Sequence, residues 1–336
     1  MEPYKKLEAL FTKMSRLDHL LSLGNWDMNT YMPPKGEESR GEALATLSEI
    51  RFGYMTAPEV KEWLDAAKQG KAELSVVQQA NLREMERVWR GDNCLPAEFV
   101  GRKMRLTTRA HSVWRDSRAA NDFAKFLPVL KELVEVAREE GGYLAAGTSL
   151  SPLEALMNQY EPGITTKQLD EVFNNVKSWL PQLLRDILKK QSAESVTAYS
   201  QRFPQAKQEE LCKEFLRVWK FDMEAGRLDV SAHPFTGMTK EDCRLTTNYT
   251  DDTYVQSLYG VIHEGGHGKY EQNCGPRDMV TQPVCEARSL GVHESQSLFA
   301  RVQIGWPVKL VGVLSAEGIE QFGGRAGEGE RPQGAC

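Results

Sequence analysis

His263-Glu264-Gly265-Gly266-His267 places two imidazoles four residues apart with a carboxylate between them. On a helix four residues turn through about 400°, so both rings leave one face roughly 6 Å apart along the axis. That spacing lets two neutral imidazoles share one zinc at about 2.0–2.1 Å. Glu264 then lies beside the ion rather than on it, where it can take a proton from the water that the ion activates. With six histidines in 336 residues, chance would produce such a motif in about one chain in a hundred.

Gly265, Gly266 and Gly268 sharpen this reading, because each costs a helix about 1 kcal/mol relative to alanine. Three glycines within four residues weaken the helix to no local benefit unless something must approach its backbone closely. A substrate strand or a facing helix would do so. A catalytic zinc also needs a third protein ligand and one open position. Downstream, Glu286, His293 and Glu294 are available. Adjacent helical residues point about 100° apart, so His293 and Glu294 do not both serve, but spacing leaves the choice among the three open.

These groups need a scaffold. Tyr4, Leu7, Leu10, Phe11, Met14, Leu17 and Leu21 recur at steps of three and four, the signature of a helix with one apolar face. Similar stripes run through Leu82, Val88 and Trp89; Phe123, Phe126, Leu127, Leu130 and Val134; and Val172, Phe173, Val176, Leu180 and Leu183. Gly24 and Pro33-Pro34-Lys35-Gly36 follow the first helix as breakers. Thr56-x-x-Glu59 and Ser151-x-x-Glu154 read as capping boxes. The pattern changes near residue 227. Arg227 to Phe235 and Asp242 to Thr250 alternate with a period near two, predicting two strands around a turn at Thr236-Gly237-Met238-Thr239. Helix is predicted again over 252–273 and from about Thr281-Gln282-Pro283 past Ser297.

His233-Pro234-Phe235, Asp242-x-Arg244-x-Thr246, His263-Glu264-Gly265-Gly266-His267 and His293-Glu294-Ser295-Gln296-Ser297 together resemble the carboxypeptidase Taq family of metallocarboxypeptidases. Trp26-Asp27 and Met32-Pro33-Pro34 add to the likeness, which covers roughly residues 1–300. The resemblance implies a mostly α fold, an elongated helical zincin with a cleft like that of neurolysin and angiotensin-converting enzyme, and a small β-sheet next to the zinc helix. It implies a cytoplasmic homodimer that releases C-terminal residues from peptides with a free C-terminus, with broad specificity. It makes Glu294 the third ligand beside His263 and His267, with Zn2+ or Co2+ as the ion, and leaves His293 in the second shell or facing substrate. His233 would orient a ligand or touch substrate. Arg244 would pair with Asp242 or with a peptide carboxylate. Tyr249 and Tyr254 are possible oxyanion donors, while His19 and His111 belong to the scaffold.

The family's I-R-x-x-A-D and G-x-x-Q-D-x-H-W motifs do not occur, and from about Ala300 the likeness fades. The expected division is therefore an incomplete catalytic domain over 1–310, with a helical scaffold over 1–225 and the zinc site over 226–300. A glycine-rich tail over 311–336 is expected to be disordered. The alternative reading is a catalytically impaired, truncated remnant that binds metal or dimerises with a full-length partner. A net charge of −5 with both signs interspersed argues against nucleic acid, and no apolar run is long enough to span a membrane. Six scattered cysteines without C-x-x-C spacing read as free thiols, and the N-terminus does not read as a secretory signal.

Overall fold

The computed structural model describes residues 1–195 and 202–305; the tail expected over 311–336 lies outside them. The fold is mostly helical, with one three-stranded sheet. The chain divides into two compact units.

The first unit comprises Met1–Gly163 and Gly275–Glu286. Its helices are α1 (Glu2–Asn29), α2 (Glu37–Met55), α3 (Pro58–Gln69), α4 (Val76–Asn93), α5 (Ala97–Ala119), α6 (Phe123–Ala145) and α7 (Pro152–Met157). The α1 stripe from Tyr4 to Met14 is buried against Val60, Leu64 and Ala67 of α3 and Leu82 and Met85 of α4. Gly24 does not end α1, which runs on to Asn29. Ser151 caps α7 with the reciprocal Glu154 bond of a capping box, but Thr56 does not cap α3. Its hydroxyl donates instead to the Phe52 carbonyl at the end of α2, and Ala57 occupies the N-cap of α3. On α6 the core takes Val129 and Val136, with Phe126 and Leu133 against them, whereas Phe123, Leu127 and Val134 are exposed. The stripe is rotated from the predicted one because the α5 partners Phe99, Leu106 and Ala110 meet the other edge.

The helix predicted from Thr281 is absent at its start. Pro283–Cys285 forms one 3-10 turn, and Glu286 is extended. Gln282 is the cause. Its side chain is buried, donating to the Glu8 carbonyl at 3.0 Å and accepting from Asn81 Nδ2 at 3.2 Å. Asn81 Oδ1 also accepts from the Val284 backbone at 3.2 Å. These buried side-chain bonds tie the segment to α1 and α4 and hold its backbone in a shape other than a continuous helix.

The second unit runs over Ile164–Cys274 and resumes at Ala287. It holds α8 (Thr166–Gln191), α9 (Gln205–Val218), β1 (Gly226–Val230), β2 (Thr236–Thr239), β3 (Asp242–Thr247), α10 (Val255–Glu271) and α11 (Leu290–Leu298), the last leading into a π-helical turn at Phe299–Ile304. The expected turn at Thr236–Thr239 is itself a strand. It pairs antiparallel with β3, Thr236 opposite Leu245 and Met238 opposite Cys243. β1 pairs parallel with β3, giving the order β1-β3-β2. The tight reversal moves to Lys240-Glu241, preceded by Met238 at φ 89°. The α8 stripe predicted to pack is exposed in the described structure: Val172, Phe173, Leu180 and Leu183 all face outward, and no α8 residue is buried.

Val255, Leu258, Val261 and Ile262 form the core face of α10, packed with Leu211, Phe215 and Leu216 of α9 and Leu245 of β3. The start of α10 is tied down by buried polar bonds. Ser257 Oγ donates to Gln208 Oε1 at 2.6 Å, and the Gln208 amide donates to the carbonyls of Phe203 and Thr250. No described helix is long and apolar enough to cross a membrane.

Candidate metal centre

The face of α10 opposite its core carries His263 and His267 in perpendicular orientation, ring centroids 4.8 Å apart. Glu294 of α11 comes to both. Its Oε2 lies 3.7 Å from His263 Nε2 and 3.6 Å from His267 Nε2. One donor atom from each of the three residues falls within 4.8 Å of the others. Two imidazoles and one carboxylate form the three-ligand donor set that suits a catalytic zinc with an open fourth position. Burial lowers the basicity of both imidazoles, taking His267 down to about 4 with help from the neighbouring His293 and His263 rings. Both are therefore neutral near pH 7, with lone pairs free for a cation.

Close neighbours explain two of the three helix glycines, Gly266 and Gly268. A Cβ on Gly266 would stand 2.6 Å from Ser297 Cα and 2.8 Å from the Gln296 carbonyl oxygen, so α11 crosses α10 in backbone contact there. A Cβ on Gly268 would meet Phe221 and Leu245 at 2.7 and 2.8 Å, while one on Gly265 would press on the end of Leu216 at 3.0 Å and make ordinary contact with Phe215 and Trp219. Gly266→Ala is thus expected to destabilise the protein by up to about 2 kcal/mol net, an overpacking cost of about 1–3 kcal/mol less the ~1 kcal/mol that alanine gains in helix propensity. It should also weaken metal binding by displacing the helix that carries Glu294. Gly265→Ala should be close to neutral, because a side-chain tip can move. Thermal unfolding and zinc titration of the two variants check this; equal behaviour would mean that the α10–α11 approach is not tight.

Glu264 is buried, and its Oε2 lies 2.6 Å from the Thr236 hydroxyl of β2. That hydroxyl is also 3.0 Å from the Glu264 carbonyl oxygen, so its single proton serves one acceptor at a time. Burial raises the Glu264 carboxyl above the usual range, opposed by the Thr236 hydrogen bond and reinforced by the nearby Glu294 charge. A carboxylate so raised is a better proton acceptor near neutral pH.

Sequence reasoning missed Thr236, having assigned it to a turn. It also missed Glu271, whose Oε1 lies 2.7 Å from His293 Nε2. The signal for Glu271 was available: it follows His267 by four residues, on the same helix face. His293 in turn meets His267, Nδ1 to Nδ1. His233 is exposed and lies outside the His263–His267–Glu294 group. Its carbonyl accepts from Ser231 Oγ at 2.6 Å. Two residues on, the Phe235 amide donates to Thr246 Oγ1 at 2.9 Å. Arg244 forms a bidentate pair with Asp242, at 2.8 and 2.9 Å. These two motifs thus fix the backbone leading into β2 and hence the position of Thr236. Tyr249 and Tyr254 are buried in the core of the second unit. Glu286 falls in the first unit, outside the donor group.

The sequence model described as "Carboxypeptidase Taq (M32) metallopeptidase" matches residues 6–322, extending past Ala300, where the likeness had been expected to end. Carboxypeptidase 1 of Bacillus subtilis is 30% identical over 302 residues, covering 90% of this chain and 60% of that protein. Thermostable carboxypeptidase 1 of Thermus thermophilus is 31% identical over 307 residues, covering 88% and 59%. Among solved structures, Trypanosoma cruzi metallocarboxypeptidase 1 superposes with a TM-score of 0.91 at 52% identity, covering 97% of this chain and 65% of that one. The chain therefore spans about 60% of the length of the curated relatives it matches. The reading as an impaired remnant gains no support from these matches. With a match over most of its length, and three residues that could hold a metal ion gathered within 4.8 Å, the chain belongs to the carboxypeptidase Taq (M32) metallopeptidase family.

Proposed function

We propose that this chain is a zinc-dependent carboxypeptidase that releases C-terminal residues from peptides with broad specificity. The observation that carries the reading is the convergence of His263 Nε2, His267 Nε2 and Glu294 Oε2 in a chain of the metallocarboxypeptidase family. These three side chains would hold the ion. When bound, zinc or cobalt would supply a Lewis acid that polarises the scissile carbonyl and acidifies water. Glu264 would accept the proton of the attacking water on its carboxylate and pass it to the leaving amine, with Thr236 holding the carboxylate in place. His293 supports His267, while His233, Asp242 and Arg244 act through the backbone of β2. Peptides with a free C-terminus are the substrates, and a cytoplasmic homodimer is the assembly that the family likeness favours.

The test is hydrolysis of an N-blocked dipeptide with a free carboxylate, beside the same dipeptide amidated. The free acid should be cleaved and the amide should not. Chelator treatment should abolish turnover, and Zn2+ or Co2+ should restore it. Activity that survives complete metal removal would overturn the reading, and equal cleavage of the amide would make the enzyme an endopeptidase instead; cleavage only of a peptide with a free amine would make it an aminopeptidase.

A further inference from the structure

We propose that Glu271 and His293 form a hydrogen-bonded relay that fixes the His267 ring in one tautomer, making both of them positioning residues for that ligand. The inference rests on the reading of His267 as a metal ligand. The contacts run from Glu271 Oε1 to His293 Nε2, and from His293 Nδ1 to His267 Nδ1. His267 Nε2, at the far end, faces Glu294.

Proton placement along this line has one consistent solution for neutral rings. A carboxylate only accepts, so His293 must carry its proton on Nε2 and present a bare Nδ1. That bare nitrogen needs a donor, so His267 carries its proton on Nδ1. His267 Nε2 is then left with its lone pair directed at the Glu294 side. The reverse order would set a bare His293 Nε2 against a carboxylate and would put a proton on His267 Nε2, where the ion must bind. Glu271 thus selects the ligating nitrogen from two hydrogen bonds away, the ordinary work of an outer-shell carboxylate behind a metal-bound histidine.

The packing holds this line in register. Tyr270 stands edge-on to the His293 ring, with centroids 5.1 Å apart at 80°. Glu271 belongs to α10 and His293 to α11, so the relay joins the same two helices that touch at Gly266 and Ser297. His263 has no equivalent: its Nδ1 is buried without a hydrogen-bond partner among the described residues. The two histidines are therefore held differently, and only His267 has its tautomer set from outside.

The experiment combines nitrogen-15 spectra of the imidazoles in the metal-free full chain with Zn2+ affinity measured against a chromogenic chelator. In the wild type, His267 should carry its proton on Nδ1. Glu271→Gln preserves size and polarity, but its amide can donate as well as accept, so both tautomers become allowed. Zinc affinity should then fall by about 10–100-fold, with circular dichroism and melting unchanged. A merely structural role for Glu271 would move neither the tautomer nor the affinity in this variant. Wild-type His267 protonated on Nε2 overturns the proposal, and so does a Glu271→Gln protein with wild-type affinity and tautomer. Should the wild type bind no zinc, the metal reading fails separately, and the metal-free tautomer still decides the relay. Should Glu271→Gln fail to fold, the wild-type spectrum decides it alone.

Discussion

Glu264→Gln is expected to lower peptide hydrolysis by about 10²–10⁴-fold while leaving bound metal at the wild-type level. The factor is that of a positioned general acid–base group. Glu264 lies outside the group of three donors, so its amide leaves both imidazoles and Glu294 where they are. The amide can still accept from the Thr236 hydroxyl, so the local fold should persist. What disappears is the only property the carboxylate contributes, the capacity to hold a proton. Metal content by atomic absorption and turnover on the blocked dipeptide separate the two effects. A variant that loses its metal would show Glu264 to be a ligand; one that keeps full turnover would show that another group is the base.

Glu294→Ala should weaken zinc binding by more than the roughly 10–100-fold that loss of an outer-shell partner costs, because on the proposed assignment its carboxylate is a direct ligand. Its carboxylate is half-exposed at 48%, whereas the two imidazoles it faces are mostly buried. Removing it therefore opens no core cavity, and the fold should tolerate the change. Glu286→Ala is the control. That residue lies in extended backbone of the other unit and should leave zinc binding unchanged. Equal metal affinity in wild type and Glu294→Ala would remove Glu294 from the coordination sphere, and retained binding in Glu294→Ala with loss in Glu286→Ala would reverse the assignment.

Where sequence patterns misled, a specific hydrogen-bond partner had overridden a local preference. Thr236 to Thr239 contain a glycine and read as a turn, yet β3 offers that segment a ladder of backbone partners, and the strand forms. Glu286 sits in a stretch patterned like a helix start, but buried Gln282, bonded to Asn81 and to the carbonyl of Glu8, holds the chain away from helix. Thr56 has the spacing of a cap, but its hydroxyl is satisfied by Phe52 one turn back. Only the Gln282 bonds, to residues 201 and 274 positions away, lie beyond any periodicity window; the other two partners are near in sequence, but a hydrophobic pattern carries no information about which backbone groups they pair.

The sequence alone determined the pair of imidazoles and the carboxylate between them, because helix geometry ties residue i to i+4 within a single element. It also determined that something must press against α10, since three glycines in one turn have no other use there. Tertiary structure alone decided what presses and what it brings. Backbone contact at Gly266 carries α11 across α10, delivering Glu294 to both Nε2 atoms and His293 to Nδ1 of His267. Spacing could not choose among Glu286, His293 and Glu294, because the connection from α10 passes through the first unit before α11 begins, and its path depends on buried hydrogen bonds made there. A helix fixes directions only along its own length; the meeting of two helices depends on which side chains are small enough to let them close.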